Sequence, residues 1–271
     1  MPELPEVETT RRGLHPHIVG QRITKLVIRE TRLRWPIEPA LESKLIGQTI
    51  VDTSRRGKYL LLHVKTGTLL VHLGMSGNLR ILLSKTPALK HDHVDIVLNN
   101  GHSIRFNDPR RFGAIIWTEK EPEIHPLLAH LGPEPLSDSL SGAWLYEMTR
   151  GNKITIKLWL MDSKRITGIG NIYANEALFR SGILPTKAAG KISLKKFEKL
   201  AAEIKKTLKE AIEAGGSTLR DFVNAEGNPG YFQQKYFVYG REGQGCLICQ
   251  KPVKLIRQAG RATYYCIQCQ R

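Results

Sequence analysis

Tyr59-Leu60-Leu61-Leu62-His63-Val64-Lys65-Thr66-Gly67-Thr68-Leu69-Leu70-Val71-His72-Leu73 is the stretch that decides the fold of the first half of the chain. Two short apolar runs flank Lys65-Thr66-Gly67, a composition that suits a tight turn between adjacent antiparallel strands. The pattern repeats outward from this hairpin. Arg22 to Arg29, Val94 to Leu98, Ser103 to Phe106 and Ala114 to Trp117 are further alternating or apolar runs, with Asn99-Asn100-Gly101 as a second turn. Neighbouring strands joined by short turns predict an antiparallel β-sandwich or barrel rather than a parallel sheet. A helix from about Pro5 to Leu14 is expected to cap it.

Gly132-Pro133-Glu134-Pro135 and the Ser/Asp-rich residues up to Ser141 read as a linker, beyond which the pattern turns helical. The clearest helix runs from Ser193 to Ala214, with Leu194, Phe197, Leu200, Ala201, Ile204, Leu208, Ala211 and Ile212 on one face, Ser193 as N-cap and Gly215 as stop. Its lysines form the solvated face. The expected division is residues 1–131, a linker at 132–141, a helical domain at 142–236 and a cysteine-bearing unit at 237–271.

The 271 residues exceed the usual single-domain size, which agrees with that division. The 41 Lys+Arg against 25 Asp+Glu give a net charge of +16, which points to a polyanionic partner, nucleic acid first. No apolar run is long enough to span a bilayer, and no basic stretch with an apolar core opens the chain, so cytoplasmic residence is expected. A monomer is the default.

All four cysteines lie near the C-terminus as Cys246-x2-Cys249 and Cys266-x2-Cys269. Two such knuckles suit one tetrahedral Zn2+ ion. Two disulfides are the alternative, disfavoured by a reducing cytosol. Lys254-Leu255-Ile256 and Ala262-Thr263-Tyr264-Tyr265 can pair across Gln258-Ala259-Gly260-Arg261, which puts Arg261 at the tip of a β-hairpin.

Met1-Pro2-Glu3-Leu4-Pro5-Glu6 admits two readings. With Met1 removed, as a small second residue favours, Pro2 is a secondary amine whose reference pKa of about 7.7–8.0 leaves part of it nucleophilic at neutral pH. Attack on a sugar C1′ or an aldehyde would give an iminium ion, with Glu3 and Glu6 near enough to shuttle protons. The other reading is a helix start, with Pro5 opening the helix and Glu6 and Glu8 in its first turn.

Other motifs are similarly double-edged. Ser54-Arg55-Arg56-Gly57-Lys58-Tyr59 is a basic patch before a strand that could fix Lys58. Asp108-Pro109-Arg110-Arg111-Phe112-Gly113 interleaves cations with an aromatic that could wedge between bases. His72-Leu73-Gly74-Met75-Ser76-Gly77 sets a methionine on a glycine-flanked turn, as wedge or as ordinary hairpin residue. In His91-Asp92-His93, phosphate contact suits one histidine and packing the other. Gly168-Ile169-Gly170-Asn171-Ile172-Tyr173 lacks the third glycine and the βαβ setting of a dinucleotide site; it suits phosphate capture at a helix start, or a plain turn.

In this order, the motifs resemble the bacterial formamidopyrimidine-DNA glycosylases from end to end, including Pro2-Glu3-Leu4-Pro5-Glu6-Val7-Glu8, Lys90-His91-Asp92-His93 and Gly260-Arg261-Ala262-Thr263. The resemblance implies an α+β multidomain fold: an N-terminal antiparallel β-sandwich with flanking helices, a helical helix-two-turn-helix domain and a β-hairpin zinc finger. Its implied activity is excision of 8-oxoguanine and formamidopyrimidines from double-stranded DNA held in an interdomain cleft, and cutting of abasic sites by β,δ-elimination. It implies that Pro2 is the nucleophile, Glu3 the proton shuttle with Glu6 in support, Lys58 the aid to β-elimination and Arg261 the phosphate grip associated with δ-elimination. His91, Arg110, Lys157 and Asn171 match DNA-contacting positions. Met75, Arg110 and Phe112 match a trio that fills the gap left by the extruded nucleotide. Leu158 and Arg165-Ile166-Thr167 depart from the family's pattern, and Ser217 to Tyr231 resembles a loop that closes over the extruded base. An endonuclease VIII-type enzyme is disfavoured because that branch resembles Pro-Glu-Gly-Pro-Glu at its start. A non-catalytic lesion sensor would follow if Met1 were retained.

Overall fold

The computed structural model describes residues 1–216 and 236–271, so the expected base-closing stretch Ser217 to Tyr231 lies outside the described residues. The chain divides into two compact units, one built on Met1–His130 and the other on Leu131–Ala211 together with the C-terminal residues.

The first unit begins with helix α1 (Leu4–Ile18), followed by β1 (Ile23–Ile28), a short helix α2 (Leu41–Leu45) and seven strands: β2 (Ile50–Arg56), β3 (Tyr59–Val64), β4 (Gly67–His72), β5 (Asn78–Leu83), β6 (Asp92–Leu98), β7 (His102–Asn107) and β8 (Ala114–Thr118). They form two antiparallel four-stranded sheets in the orders β1-β6-β7-β5 and β2-β3-β4-β8. One apolar core takes side chains from both sheets, Leu26, Val94 and Ile104 from the first and Leu60, Leu62 and Val71 from the second, which makes the unit a β-sandwich. Val7, Leu14 and Ile18 of α1 enter the same core.

The β3–β4 hairpin closes with Val64 opposite Gly67. Gly67 is required there because an added Cβ would lie 2.6 Å from the Trp117 ring. Both strands are interior to their sheet, and Leu61 and Leu70, which alternate away from Leu60, Leu62 and Val71, are equally buried. Burial on both faces is why these strands read as continuous apolar runs. The helix predicted to end at Leu14 continues to Ile18 with Pro16 inside its last turn.

The second unit holds α3 (Gly142–Thr149), α4 (Ile156–Leu160), α5 (Asn171–Ser181), α6 (Leu194–Glu213) and the hairpin β9 (Lys254–Gln258) with β10 (Arg261–Tyr265). Ser141, the last residue of the expected linker, caps α3 by accepting from the Trp144 N–H at 3.1 Å. The apolar face of α6 is buried from Phe197 to Ile212, but Leu194 is 41 % exposed because it sits in the first turn. Leu158 lies within α4, and Ile166 and Thr167 are buried in the connection to α5, so neither departure interrupts the helix-two-turn-helix.

Candidate functional site

In the first unit the N-terminal carboxylates are withdrawn from solvent. Glu3 is 2 % exposed and Glu6 fully buried, and the Glu3 N–H donates to Glu6 Oε2 at 2.8 Å as one half of a capping box that starts α1. Pro2 is buried beside them, whereas Met1 is exposed and lines a cavity of about 760 Å³. The helix-start reading is therefore correct as structure, and Met1, which precedes the helix, reaches the hollow.

The cavity brings together three motifs that are far apart in sequence: His72, Gly74 and Met75; Arg110, Arg111 and Phe112; and Arg32 to Arg34. Met75 and Phe112 remain largely exposed, and the Arg110 guanidinium stands 4.9 Å from the centre of the Phe112 ring. Gly74 has φ +65°, and an added Cβ would lie 2.5 Å from the Gly113 nitrogen, so the two loops touch backbone to backbone.

Lys58 occupies the tight turn between β2 and β3, where Arg56 pairs with Tyr59 and Gly57 adopts φ +57°. Its charge reaches His72, whose pKa is held at about 4 by burial first, then by Lys58 and Arg34. The Gly74 N–H donates to His72 Nδ1 at 3.0 Å, which leaves the proton of the neutral ring on Nε2. The sequence motif contained His72, but nothing in its spacing distinguished it from a strand-end histidine; the neighbouring cations, brought in by the fold, give it its character.

Of the His91-Asp92-His93 pair, His93 is buried in a bulge of β6, with Nε2 2.8 Å from the Asp108 carbonyl oxygen. His91 is only partly buried and adopts φ 72°. His93 thus takes the packing role, which leaves His91 as the candidate for phosphate contact.

In the second unit, α5 starts at Asn171 after Gly168 at φ +83°, which puts Asn171 at the positive end of the helix dipole. Arg261 is exposed at the first position of β10, next to a two-residue turn in which Ala259 and Gly260 both have positive φ. Lys157 of α4 lies against the finger hairpin. Its side chain is completely buried, and Nζ donates to the Ala262 carbonyl and to Thr263 Oγ1, each at 2.7 Å. Position 157 in α4 thus ties its ammonium to the strand that carries Arg261. Asn175 of α5 adds a second brace by accepting from the Tyr264 N–H at 2.8 Å.

The four cysteines converge, with all Sγ atoms within 4.8 Å of one another and none in a disulfide. Cys246 and Cys269 are 3.8 Å apart and Cys249 and Cys266 3.4 Å. Four thiolates about 2.3 Å from a tetrahedral ion would be separated by about 3.8 Å, so the cluster fits a metal ion. Cys246 and Cys266 also pack with Phe179, Val238 and Val253, which seats the knuckles on α5.

Residues 1–115 match the family model described as Formamidopyrimidine-DNA glycosylase N-terminal domain, and residues 131–223 that described as Formamidopyrimidine-DNA glycosylase H2TH domain. The chain is 55 % identical over 271 residues to the formamidopyrimidine-DNA glycosylase of Pseudomonas savastanoi pv. phaseolicola and 54 % identical to that of Methylococcus capsulatus, with all of each chain covered. Among solved structures it is similar to MutM (Fpg) from Thermus thermophilus, with a TM-score of 0.88, 38 % identity and coverage of 99 % of this chain and 98 % of that one. It is also similar to Lactococcus lactis Fpg in complex with DNA containing N7-benzyl-Fapy-dG, with a TM-score of 0.90, 34 % identity and full coverage of both chains.

Proposed function

This chain belongs to the formamidopyrimidine-DNA glycosylase family, and we propose that it removes oxidised purines from double-stranded DNA as a bifunctional glycosylase and abasic-site lyase of base excision repair. With Met1 removed, the Pro2 nitrogen attacks C1′ as the damaged base departs, and the sugar ring opens to a Schiff base. Glu3, supported by Glu6, moves the protons; Lys58 assists β-elimination, and Arg261 grips phosphate for δ-elimination. Arg110, His91 and Asn171 contact the DNA, and Met75, Arg110 and Phe112 fill the space vacated by the extruded nucleotide. Lys157 serves this reading through the finger hairpin.

The observation that carries the proposal is the cavity in which Met1 meets Met75, Arg110 and Phe112, with the buried Glu3 and Glu6 following Met1 in the chain. Loss of Met1 opens that hollow toward the Pro2 nitrogen and leaves an amine, a proton-transfer pair and a base-wedging surface within one unit. Relatives solved with Fapy-dG DNA and with abasic-site DNA support the substrate class. The cysteine cluster holds one structural Zn2+, a choice that rests on four-thiolate tetrahedral ligation. The functional division is a catalytic domain at 1–131, a linker at 132–141, a helix-two-turn-helix domain at 142–236 and the finger at 237–271. A chromosomal substrate implies residence in the bacterial cytoplasm, and the active form is a monomer.

Borohydride trapping on a duplex with one 8-oxoguanine opposite cytosine tests the reading. A covalent protein–DNA adduct is expected from the wild type and a sharply reduced one from Pro2→Gly. No adduct from protein with a free Pro2 and intact DNA binding would overturn it.

A further inference from the structure

We propose that Asp108 is a positioning residue that sets the exposed side chains of Met75, Arg110 and Phe112 in register; the inference rests on the base-extrusion reading above. Asp108 is completely buried. Its Oδ1 accepts from Ser76 Oγ at 2.9 Å and from the Arg110 N–H at 3.3 Å, and its Oδ2 accepts from the Gly113 N–H at 2.7 Å. Ser76 adjoins Met75 and Gly113 adjoins Phe112, so one carboxylate ties the two loops that carry all three side chains.

The backbone of the same residue extends the tie. The Asp108 N–H donates to the His91 carbonyl at 3.1 Å, and the Asp108 carbonyl accepts from the Arg111 N–H at 3.2 Å and faces His93 Nε2 at 2.8 Å. His91 and Arg111 hold left-handed backbone conformations, at φ 72° and 55°, that residues other than glycine adopt only when their surroundings fix them. Three loops thus converge on one buried residue.

The purpose is stiffness at an exposed surface. Met75 is 40 % and Phe112 44 % exposed, so the sandwich core does not hold their tips. A wedge that unstacks bases must not yield as it enters, and two separately mobile loops would. Asparagine has the shape of aspartate but sets an NH₂ group against a backbone N–H, of Gly113 or of Arg110, in either orientation.

Asp108→Asn should slow excision of 8-oxoguanine opposite cytosine by roughly tenfold, the scale of one charge-assisted hydrogen bond, with less effect on cutting at a preformed abasic site. Its effect should also disappear in a Phe112→Ala background, because a register without its wedge has nothing to position. Wild-type excision in Asp108→Asn, an equal loss on both substrates, or effects that multiply in the double variant would overturn the inference. If Asp108→Asn does not fold, Ser76→Ala paired with Met75→Ala applies the same test to the other loop. A wild type that binds lesion DNA but never excises would instead refute the reading beneath it.

Discussion

Lys157→Met separates two roles for the buried lysine of α4. The substitution keeps length and apolar bulk but removes an ammonium that makes two hydrogen bonds of 2.7 Å, to Ala262 O and Thr263 Oγ1. Leaving those acceptors without that partner costs about 1–3 kcal/mol each, and relief from burying a charge returns part of it, for a net loss of about 2 kcal/mol. Confined to the seat of the hairpin, that loss shifts the docked-to-undocked ratio by roughly 30-fold. Amide hydrogen exchange should therefore quicken in β10, above all at Tyr264, whose N–H is held by Asn175. DNA affinity should fall while the slope of log K against log salt is unchanged, since no phosphate contact is deleted. A direct Lys157–phosphate contact predicts the reverse: a slope reduced by about 0.9 with exchange in the hairpin unaltered. That result would refute the bracing role.

Glu3→Gln should abolish base excision while lesion binding persists, as measured by gel shift alongside product release; full activity would remove Glu3 from the mechanism. Cys249→Ser should lose bound metal and DNA affinity together, and metal analysis paired with a binding titration would expose the error if affinity survived metal loss. The His72 pKa of about 4 lies below its ordinary 6.5, so the unfolded chain takes up this proton first. Stability owed to neutral His72 is then full above about pH 6.5 and declines as pH falls toward 4, by on the order of 3 kcal/mol. In His72→Asn, whose Oδ1 can take the Gly74 N–H, urea midpoints should vary less across this window, and an identical pH dependence in both proteins would sink the assignment.

The parts of the fold legible in sequence are those whose determinants are local. The hairpin at residues 59–73 is continuous apolar sequence around a turn, and the four cysteines declare their convergence by spacing alone. Strands β2 and β5, each at a sheet edge, escaped notice. In β2, Val51 and Asp52 are exposed and Ser54, Arg55 and Arg56 only partly buried, so its sequence reads as a basic patch. The short helix α2 is a single turn with too few residues to show a period. At the site, motif order singled out Glu3, Arg261 and the trio Met75, Arg110 and Phe112 as candidates. The sequence could not show that Lys157 turns inward, that cations collect around His72 or that Asp108 joins three loops. Each depends on which residues the folded chain brings alongside.

The packing of α1 also sets an order of events during synthesis. This helix precedes every strand of its unit in the chain, yet its neighbours are β2, β3 and β5, the last of which ends at Leu83. Its docking surface therefore does not exist until dozens of later residues have emerged, even though the two-residue β3–β4 loop closes readily once made. During that interval the N-terminus has no partner to hide against, and methionine removal can precede the burial of Pro2. The late arrival of its binding surface delays the enclosure of Pro2 and Glu3 until β5 has been made.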